Sequence, residues 1–400
     1  MAHTVKLALV GCGGISGAHT HGYKDLYGRG CREFAVTACC DVRSACAESR
    51  ADEIAAFQGK RPQVFASVDD LLRADVAEAA DVCTPHCFHH STAIPLLQAG
   101  LHVMCEKPLG ITVKASKKII EAADKAGVVL ATAENARRSP TSRACVWAIR
   151  DAKLIGDMRL ATVTYLANSQ FDYTQYAMKW RGVSLLTGGG MIMDSGAHFA
   201  DMQTLMFGPV EQVNCQWDVF DKRPILDAPI VGDTHADVED TWTVVIQFAS
   251  GMRTVWTYGR SFYGDKVEFG NYYGSAGTMY DLGFKFHCFQ GGGEALLADG
   301  TRLSNDDLQA RYQATLSEAD KARLFPYGCT DSMGIEVWDY IDSIRNRRKP
   351  EMDGWDGLNA KVLCEACFES GLARVPVKVQ DVLDGKIDAF QRRFDDYWGI

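Results

Sequence analysis

A glycine-rich turn set between a strand and a helix constrains this chain more than any other feature. The apolar run Val5 to Val10 ends at Gly11-Cys12-Gly13-Gly14-Ile15-Ser16-Gly17-Ala18-His19, and helix-compatible sequence follows. Strand, tight glycine turn and helix in that order open a parallel βαβ unit. The rhythm then repeats. Phe34 to Cys40 reads as a strand stopping at Asp41, with a helix over Ser44 to Phe57. Val64 to Ala66 is a short strand, and Ala80 to Cys83 is a longer one stopping at Thr84-Pro85. A helix over Ser91 to Ala99 closes at Gly100 before the strand His102 to Cys105, which stops at Glu106-Lys107-Pro108. Val128 to Ala133 ends at Glu134-Asn135. Alternation of this kind predicts an α/β, doubly wound parallel sheet.

Past Pro140 the pattern changes. A helix over Arg143 to Asp151 precedes strand-like segments at Met158 to Leu166, Gln212 to Val219, Trp242 to Phe248, Arg253 to Tyr258 and Lys266 to Gly270. These read as consecutive antiparallel strands of an open sheet with helices on one face, which makes the second domain α+β. Gly291 to Pro326 reads as an insertion, and the aromatic tail from Ala389 to Ile400 as a docked end. The expected division is 1–138 and 139–400.

Composition excludes several functions. Forty-two Lys plus Arg against 51 Asp plus Glu give a net charge of −9, which repels nucleic acid and anionic lipid. No apolar run reaches the roughly 18 residues of a membrane span, and the first residues carry no export-signal pattern, so the expected location is the cytoplasm. The 14 cysteines lie scattered in apolar contexts and read as reduced thiols. Cys364 and Cys367 form a CxxC inside a helical stretch with no second ligand pair, so no metal is expected.

The candidate cofactor residues cluster at strand ends, where such sheets hold ligands. Gly11 permits the tight turn, and Gly13 lets the main chain approach a pyrophosphate. Gly14, Ile15 and Ser16 begin the helix, and Ser16 stands where the GxGxxG fingerprint has its third glycine. Asp41, 24 positions after Gly17, is placed to hydrogen-bond ribose hydroxyls and favours NAD, whereas Arg43 could meet a 2′-phosphate. Thr84, Pro85, His89, Glu106, Lys107 and Asn135 complete the set. Pro108 fixes the backbone beside Lys107, which argues for a positioned ammonium over a solvated loop lysine. In the second half, Gly188 to Asp201 predicts a helix beginning near Met193 and stopped by Gly208-Pro209. Asp194, His198, Asp201 and Leu205 then share a face. Asp194 and His198 can pair there. The plainer alternative is an acid near a helix start and an unrelated buried histidine.

These pieces together resemble the glucose-fructose oxidoreductase, inositol dehydrogenase and rhizopine-catabolism family. The likeness rests on the glycine turn ending at His19, Thr84-Pro85 with His89, Ala99-Gly100 leading to Glu106-Lys107-Pro108, Trp180-Arg181 and the Gly188 to Asp201 segment. Val238 to Thr241, Gly274 to Thr278 and Asp353 to Ser370 extend it nearly to the end. The resemblance implies a Rossmann domain, an open-sheet substrate domain and pyridine-nucleotide oxidoreduction. It implies Lys107, Asp194 and His198 as the catalytic trio, and places Arg137, Arg138, Tyr176, Trp180 and Arg181 near the substrate. Neutral His198 would act as the base and Lys107 would stabilise an alkoxide. Asn168, Gln170, Asp172, Tyr173 and Gln175 add groups able to bind hydroxyls. The implied substrate is a sugar, cyclic polyol or glycoside oxidised at a secondary ring hydroxyl, with carbon 3 of a glucoside as one form. An NAD-dependent glycosidase and a dinucleotide-binding sensor are the alternatives. A homo-oligomer is expected from the open sheet face.

Overall fold

The computed structural model describes residues 3–283 and 286–400. The chain forms two compact units, one made of the chain up to Arg138 with Ser317–Leu358, the other of Ser139–Leu316 with Asn359–Ile400.

The first unit is built on six strands: β1 (Val5–Val10), β2 (Phe34–Cys40), β3 (Gln63–Phe65), β4 (Ala79–Val82), β5 (His102–Glu106) and β6 (Leu130–Ala133). All are parallel, in the order β3-β2-β1-β4-β5-β6. This is the doubly wound dinucleotide-binding topology, whose order reverses between β1 and β4. The strands are continuous apolar runs because helices cover both faces, and every residue of β4 and β6 is buried. Side-chain caps set the helix starts: Thr112 accepts from the Ala115 N–H at the head of Val113–Ala126, and Ser67 caps Val68–Ala74 in the same way. From the later stretch of chain, the helix Ser332–Asn346 returns to this unit and packs on the first helix, Gly14–Gly28.

The second unit carries a nine-stranded sheet and a separate hairpin. Its strands are β7 (Met158–Leu166), β8 (Val210–Asp218), β9 (Pro224–Ala228), β10 (Gly232–His235), β11 (Thr241–Phe248), β12 (Arg253–Gly259), β13 (Val267–Gly274), β14 (Gly277–Asp281), β15 (Gly293–Leu297), β16 (Arg302–Leu303) and β17 (Val377–Lys378). The sheet order is β16-β15-β14-β13-β7-β12-β11-β8-β17, with β9 and β10 paired apart. Consecutive antiparallel pairing is corrected at one place: β7 lies in the middle, antiparallel to β13 and parallel to β12. A parallel neighbour needs a long crossover, and the chain between β7 and β12 supplies it. The stretch from Gly291 extends the sheet through β15 and β16 before the helix Asn305–Thr315.

Strand alternation separates the two faces of this sheet. Trp242, Val244, Ile246 and Phe248 on β11 are buried, while Thr243 and Val245 point the other way and are exposed. Trp242 stacks on Tyr258 at 4.2 Å, and Phe199 from the helix Gly196–Phe207 stacks on Trp256 at 4.3 Å. All 14 cysteines are free, Cys364 and Cys367 among the buried ones. No helix among the described residues is long and apolar enough to cross a membrane.

Candidate active site

The glycine turn sits at the carboxyl end of β1, at the point where the strand order reverses. Gly11 has φ +89°, and a Cβ there would stand 2.7 Å from the Cys83 carbonyl carbon and 2.8 Å from the Thr84 nitrogen. Only glycine allows the ends of β1 and β4 to touch in this way. A Cβ on Gly13 or Gly14 would meet no protein atom within 4 Å, so the space over the first helical turn is open. That turn has no side-chain cap and no acid, which leaves its N–H groups and positive dipole end facing outward. Ser16, the departure from the glycine fingerprint, is fully buried and donates its hydroxyl to the Gly13 carbonyl at 2.7 Å. It therefore holds the turn closed. Ile15, beside it, is partly exposed.

Asp41 braces the same turn. Its Oδ2 accepts the Cys12 N–H at 2.7 Å and its Oδ1 accepts the Arg43 N–H at 2.8 Å. Each carboxylate oxygen keeps a further lone pair for a ribose hydroxyl. The Arg43 side chain is half exposed, its Nε 4.0 Å from Asp41. The turn, the bare helix start and the acid together fit an adenine dinucleotide.

At the end of β5, Glu106 is buried and Lys107 half-buried. The peptide joining Lys107 to Pro108 is cis. His89 is fully buried, with Nδ1 2.8 Å from the Pro108 carbonyl and Nε2 2.8 Å from the Thr84 carbonyl. Burial pushes its pKa down against the pull of the two carbonyls, and the neutral ring, with a single N–H, donates to one of them while it packs between the end of β4 and the turn that carries Lys107. Asn135 donates to the Ser332 hydroxyl at 3.4 Å. Arg137 donates to the Glu351 carbonyl at 3.1 Å. Arg138 is 1% exposed and bound to Asp339 at 3.1 Å, an internal ion pair of the first unit.

In the second unit, the expected helix start near Met193 is corrected to Gly196. Residues 191–195 form a turn first, in which the Asp194 N–H donates to the Gly190 carbonyl at 2.9 Å and the Gly196 N–H to the Met191 carbonyl at 2.7 Å. Glu239 holds this turn in place. Its Oε2 accepts the Gly190 N–H at 2.6 Å and its Oε1 the Ile192 N–H at 2.7 Å. A Cβ on Gly196 would come 2.9 Å from the Trp256 ring, so glycine lets the helix start lie against the sheet. Asp194 and His198 are both buried at this junction, and Asp201 lies a turn beyond. The helix ends at Phe207, before Gly208.

Arg181 contacts Asp194 directly, and its guanidinium lies 4.8 Å from the Trp180 ring centroid. Tyr176 is half exposed. Asp172 is exposed and accepts from Thr174 and Gln175 within its own turn, while Tyr173 is buried with Arg223 over its ring. Asn168 pairs in an isolated bridge with Ser261, whose hydroxyl Gln170 reaches at 3.4 Å. A residue that sequence reasoning did not single out stands beside His198: the His287 ring meets it edge to face, centroids 4.2 Å apart. Nothing in the spacing of His287 signals this, because the contact joins distant segments.

Both parts of the chain match family models. Residues 5–134 match an oxidoreductase family described by its NAD-binding Rossmann fold, and residues 152–379 match that family's C-terminal alpha/beta domain. The chain belongs to this family. Its residues 5–134 carry the NAD-binding Rossmann fold that the family model describes. Family relatives include levoglucosan dehydrogenase of Pseudarthrobacter phenanthrenivorans, 27% identical over 62% of this chain and 65% of that protein. D-apiose dehydrogenase of Paraburkholderia graminis is 27% identical over 62% of this chain and 59% of that protein. The matched region spans less than two thirds of either relative. A solved levoglucosan dehydrogenase, in complex with NADH and levoglucosan, shares the fold with a TM-score of 0.75 at 21% identity, covering 94% of this chain and all of that one.

Buried carboxyls give the molecule a pH signature. Desolvation pushes Glu239 and Glu336 up to about 8 and Glu365 up to about 7. Each keeps in the folded chain a proton that the unfolded chain releases above the ordinary carboxyl value of 4.5. Burial works against a charged His19, but Asp81 beside it holds the ring well above the ordinary 6.5, so its stabilisation is also lost as pH rises. His89 acts in the opposite sense only below about 6.5, the ordinary histidine value. The midpoint of thermal unfolding is therefore expected to fall as pH rises from about 6.5 to about 8. A midpoint that rises across that window contradicts these assignments.

Proposed function

We propose that the protein is a dehydrogenase that reversibly oxidises a secondary ring hydroxyl of a sugar, cyclic polyol or glycoside, with NAD as hydride acceptor. The observation that carries this reading is the pair of prepared termini. Lys107 stands at the end of β5 on a turn tied down by His89; Asp194 stands in a buried turn clamped by Glu239, and His198, also buried, on the helix that follows. Relatives named for sugar and polyol dehydrogenation support the substrate class, levoglucosan dehydrogenase and a D-glucoside 3-dehydrogenase of Escherichia coli among them. Carbon 3 of a glucoside is the form of the substrate we favour.

The chemistry follows from charge. NAD supplies the hydride acceptor. A carbinol carbon gives up hydride readily only as its hydroxyl proton leaves, so a base must take that proton. His198 takes this role: a neutral imidazole accepts the proton in oxidation and returns it in reduction. Asp194, held by Arg181, orients that imidazole and favours its protonated form. Lys107 supplies the positive charge that stabilises the developing alkoxide, or polarises the carbonyl in the reverse direction. Asp41 receives ribose hydroxyls and disfavours a 2′-phosphate, which selects NAD over NADP. The cytoplasm is the compartment we assign, in keeping with 14 free thiols.

A homo-oligomer belongs to the same proposal. The sheet face opposite its helices shows Leu160, Val245, Phe269 and Tyr273, all between 36% and 39% exposed. An apolar patch of that kind on a broad flat sheet favours a second copy of the chain.

Two experiments follow. Initial rates of NAD reduction with levoglucosan, free glucose, inositol and a set of glucosides are measured for wild type, Lys107→Met and His198→Ala. Each variant is expected to lose about a hundredfold or more in kcat with NAD binding retained; unchanged turnover in both variants, or reaction with acyclic aldehydes alone, refutes the reading. Light scattering coupled to size exclusion is expected to give more than one copy for wild type and a smaller species for Phe269→Glu. A monomeric wild type removes the assembly from the proposal.

A further inference from the structure

Behind the end of β5 runs a line of buried groups that hydride transfer does not touch. His19, on the helix Gly14–Gly28, is fully buried, with Nδ1 2.9 Å from Asp81 of β4 and Nε2 3.0 Å from Glu106. Tyr23 donates its hydroxyl to the same Asp81 at 2.9 Å, and the Cys83 thiol lies 3.5 Å from that carboxylate. Glu336 enters this line from the helix Ser332–Asn346, with Oε1 3.8 Å from His19 Nε2. It is 1% exposed, and neither of its carboxyl oxygens has a hydrogen-bond partner among the described residues.

Charge counting decides the state of Glu336. One imidazolium, His19, already stands between two carboxylates, Asp81 and Glu106. A third carboxylate without a donor is an uncompensated charge in a low-dielectric interior, which proteins avoid by keeping the proton. The other ionisable neighbours do not change this. Glu106 and Glu134, at the ends of β5 and β6, oppose a further negative charge, while His19 and Arg138 favour one. Arg138 is committed elsewhere: to Asp339 at 3.1 Å, to Glu351 at 3.5 Å and to the Glu134 carbonyl at 3.0 Å. On the same helix, Tyr340 spends its hydroxyl on the Ala80 carbonyl at 3.1 Å. Burial is the main cause that raises the Glu336 carboxyl, to about 8.

We propose that Glu336 is a positioning residue for Lys107, a neutral carboxylic acid set against the His19–Glu106 pair whose ionisation displaces Glu106 and the turn that follows it. Glu106 and Lys107 are adjacent in the chain, so a shift of one moves the other. Loss of the Glu336 proton places a second buried anion beside Glu106, with a single imidazolium between them, and the repulsion falls on the end of β5. The consequence is a loss of turnover on the alkaline side while the glycine turn, on β1, keeps its hold on the cofactor. This inference rests on the catalytic role proposed for Lys107.

The test uses the full chain with Glu336→Gln, which keeps the shape and cannot ionise, and Glu336→Asp, which still can. Thermal midpoints, kcat and KM for NAD are followed from about pH 6 to about pH 9.5, with the sugar turned over fastest by wild type and Lys107→Met as a control. For Glu336→Gln the fall of the midpoint with pH is expected to be shallower than in wild type. The alkaline limb of kcat is expected to move up by about one pH unit or more, with KM for NAD within about twofold. Glu336→Asp is expected to keep the wild-type limb. A Glu336→Gln protein that folds and shows an unmoved limb overturns the proposal, even if its midpoint is lowered, because that is what a merely structural residue gives. Full turnover by Lys107→Met, or no turnover of any sugar, refutes the underlying dehydrogenase reading instead, and the midpoint curves still report whether Glu336 is neutral.

Discussion

The close approach of two backbones, at Gly11 and the Cys83–Thr84 peptide, is the contact on which the first unit's function depends. It brings the ends of β1 and β4 together where the strand order reverses, and it aims the bare start of the Gly14–Gly28 helix at open space. Three side chains around that point have defined tasks. Asp41 spends one oxygen on the glycine turn and the other on its own loop at Arg43, Ser16 closes the turn from inside, and His89 carries the order across to the Lys107–Pro108 peptide. The proposed cofactor site is thus a property of main-chain geometry, with side chains as braces.

The second unit solves a different problem, which is to bury an acid and an imidazole near a helix start without letting them drift. Glu239 does this by accepting two N–H groups from the turn, although desolvation alone would keep it protonated. The two donors offset part of that cost. Gly196 lets the following helix rest on Trp256, and Phe199 stacks there, so His198 projects from a helix fixed by aromatic packing. Both units therefore place ionisable groups with buried carboxyls that are themselves held near their titration points, which is the physical origin of the pH sensitivity expected for this molecule.

Much of this was legible in the sequence, and the reasons are specific. The strands Val5–Val10, Phe34–Cys40 and Met158–Leu166 have the bounds that their apolar runs and flanking glycine or polar residues suggest. The glycine turn, Asp41 and the Glu-Lys-Pro terminus could be found because each lies in one short segment. The place of β7 in the sheet could not, because alternation tells which face a residue occupies and nothing about which strand lies beside it. The return of Ser332–Asn346 to the first unit was equally hidden, since an amphipathic helix does not say which sheet it covers. Glu336 and His19 stand more than three hundred positions apart, and a lone glutamate in a helix reads as a solvated one. His287 beside His198 escaped for the same reason. Contacts between distant segments are what a fold adds to a sequence.

If the glycine turn and Asp41 form a dinucleotide site that admits a free 2′-hydroxyl, calorimetric titration of the purified protein with the two pyridine nucleotides tests the account most directly. NAD is expected to bind about tenfold or more tightly than NADP, in keeping with a carboxylate repelling the 2′-phosphate. Equal affinity, tighter binding of NADP, or no heat with either would contradict it.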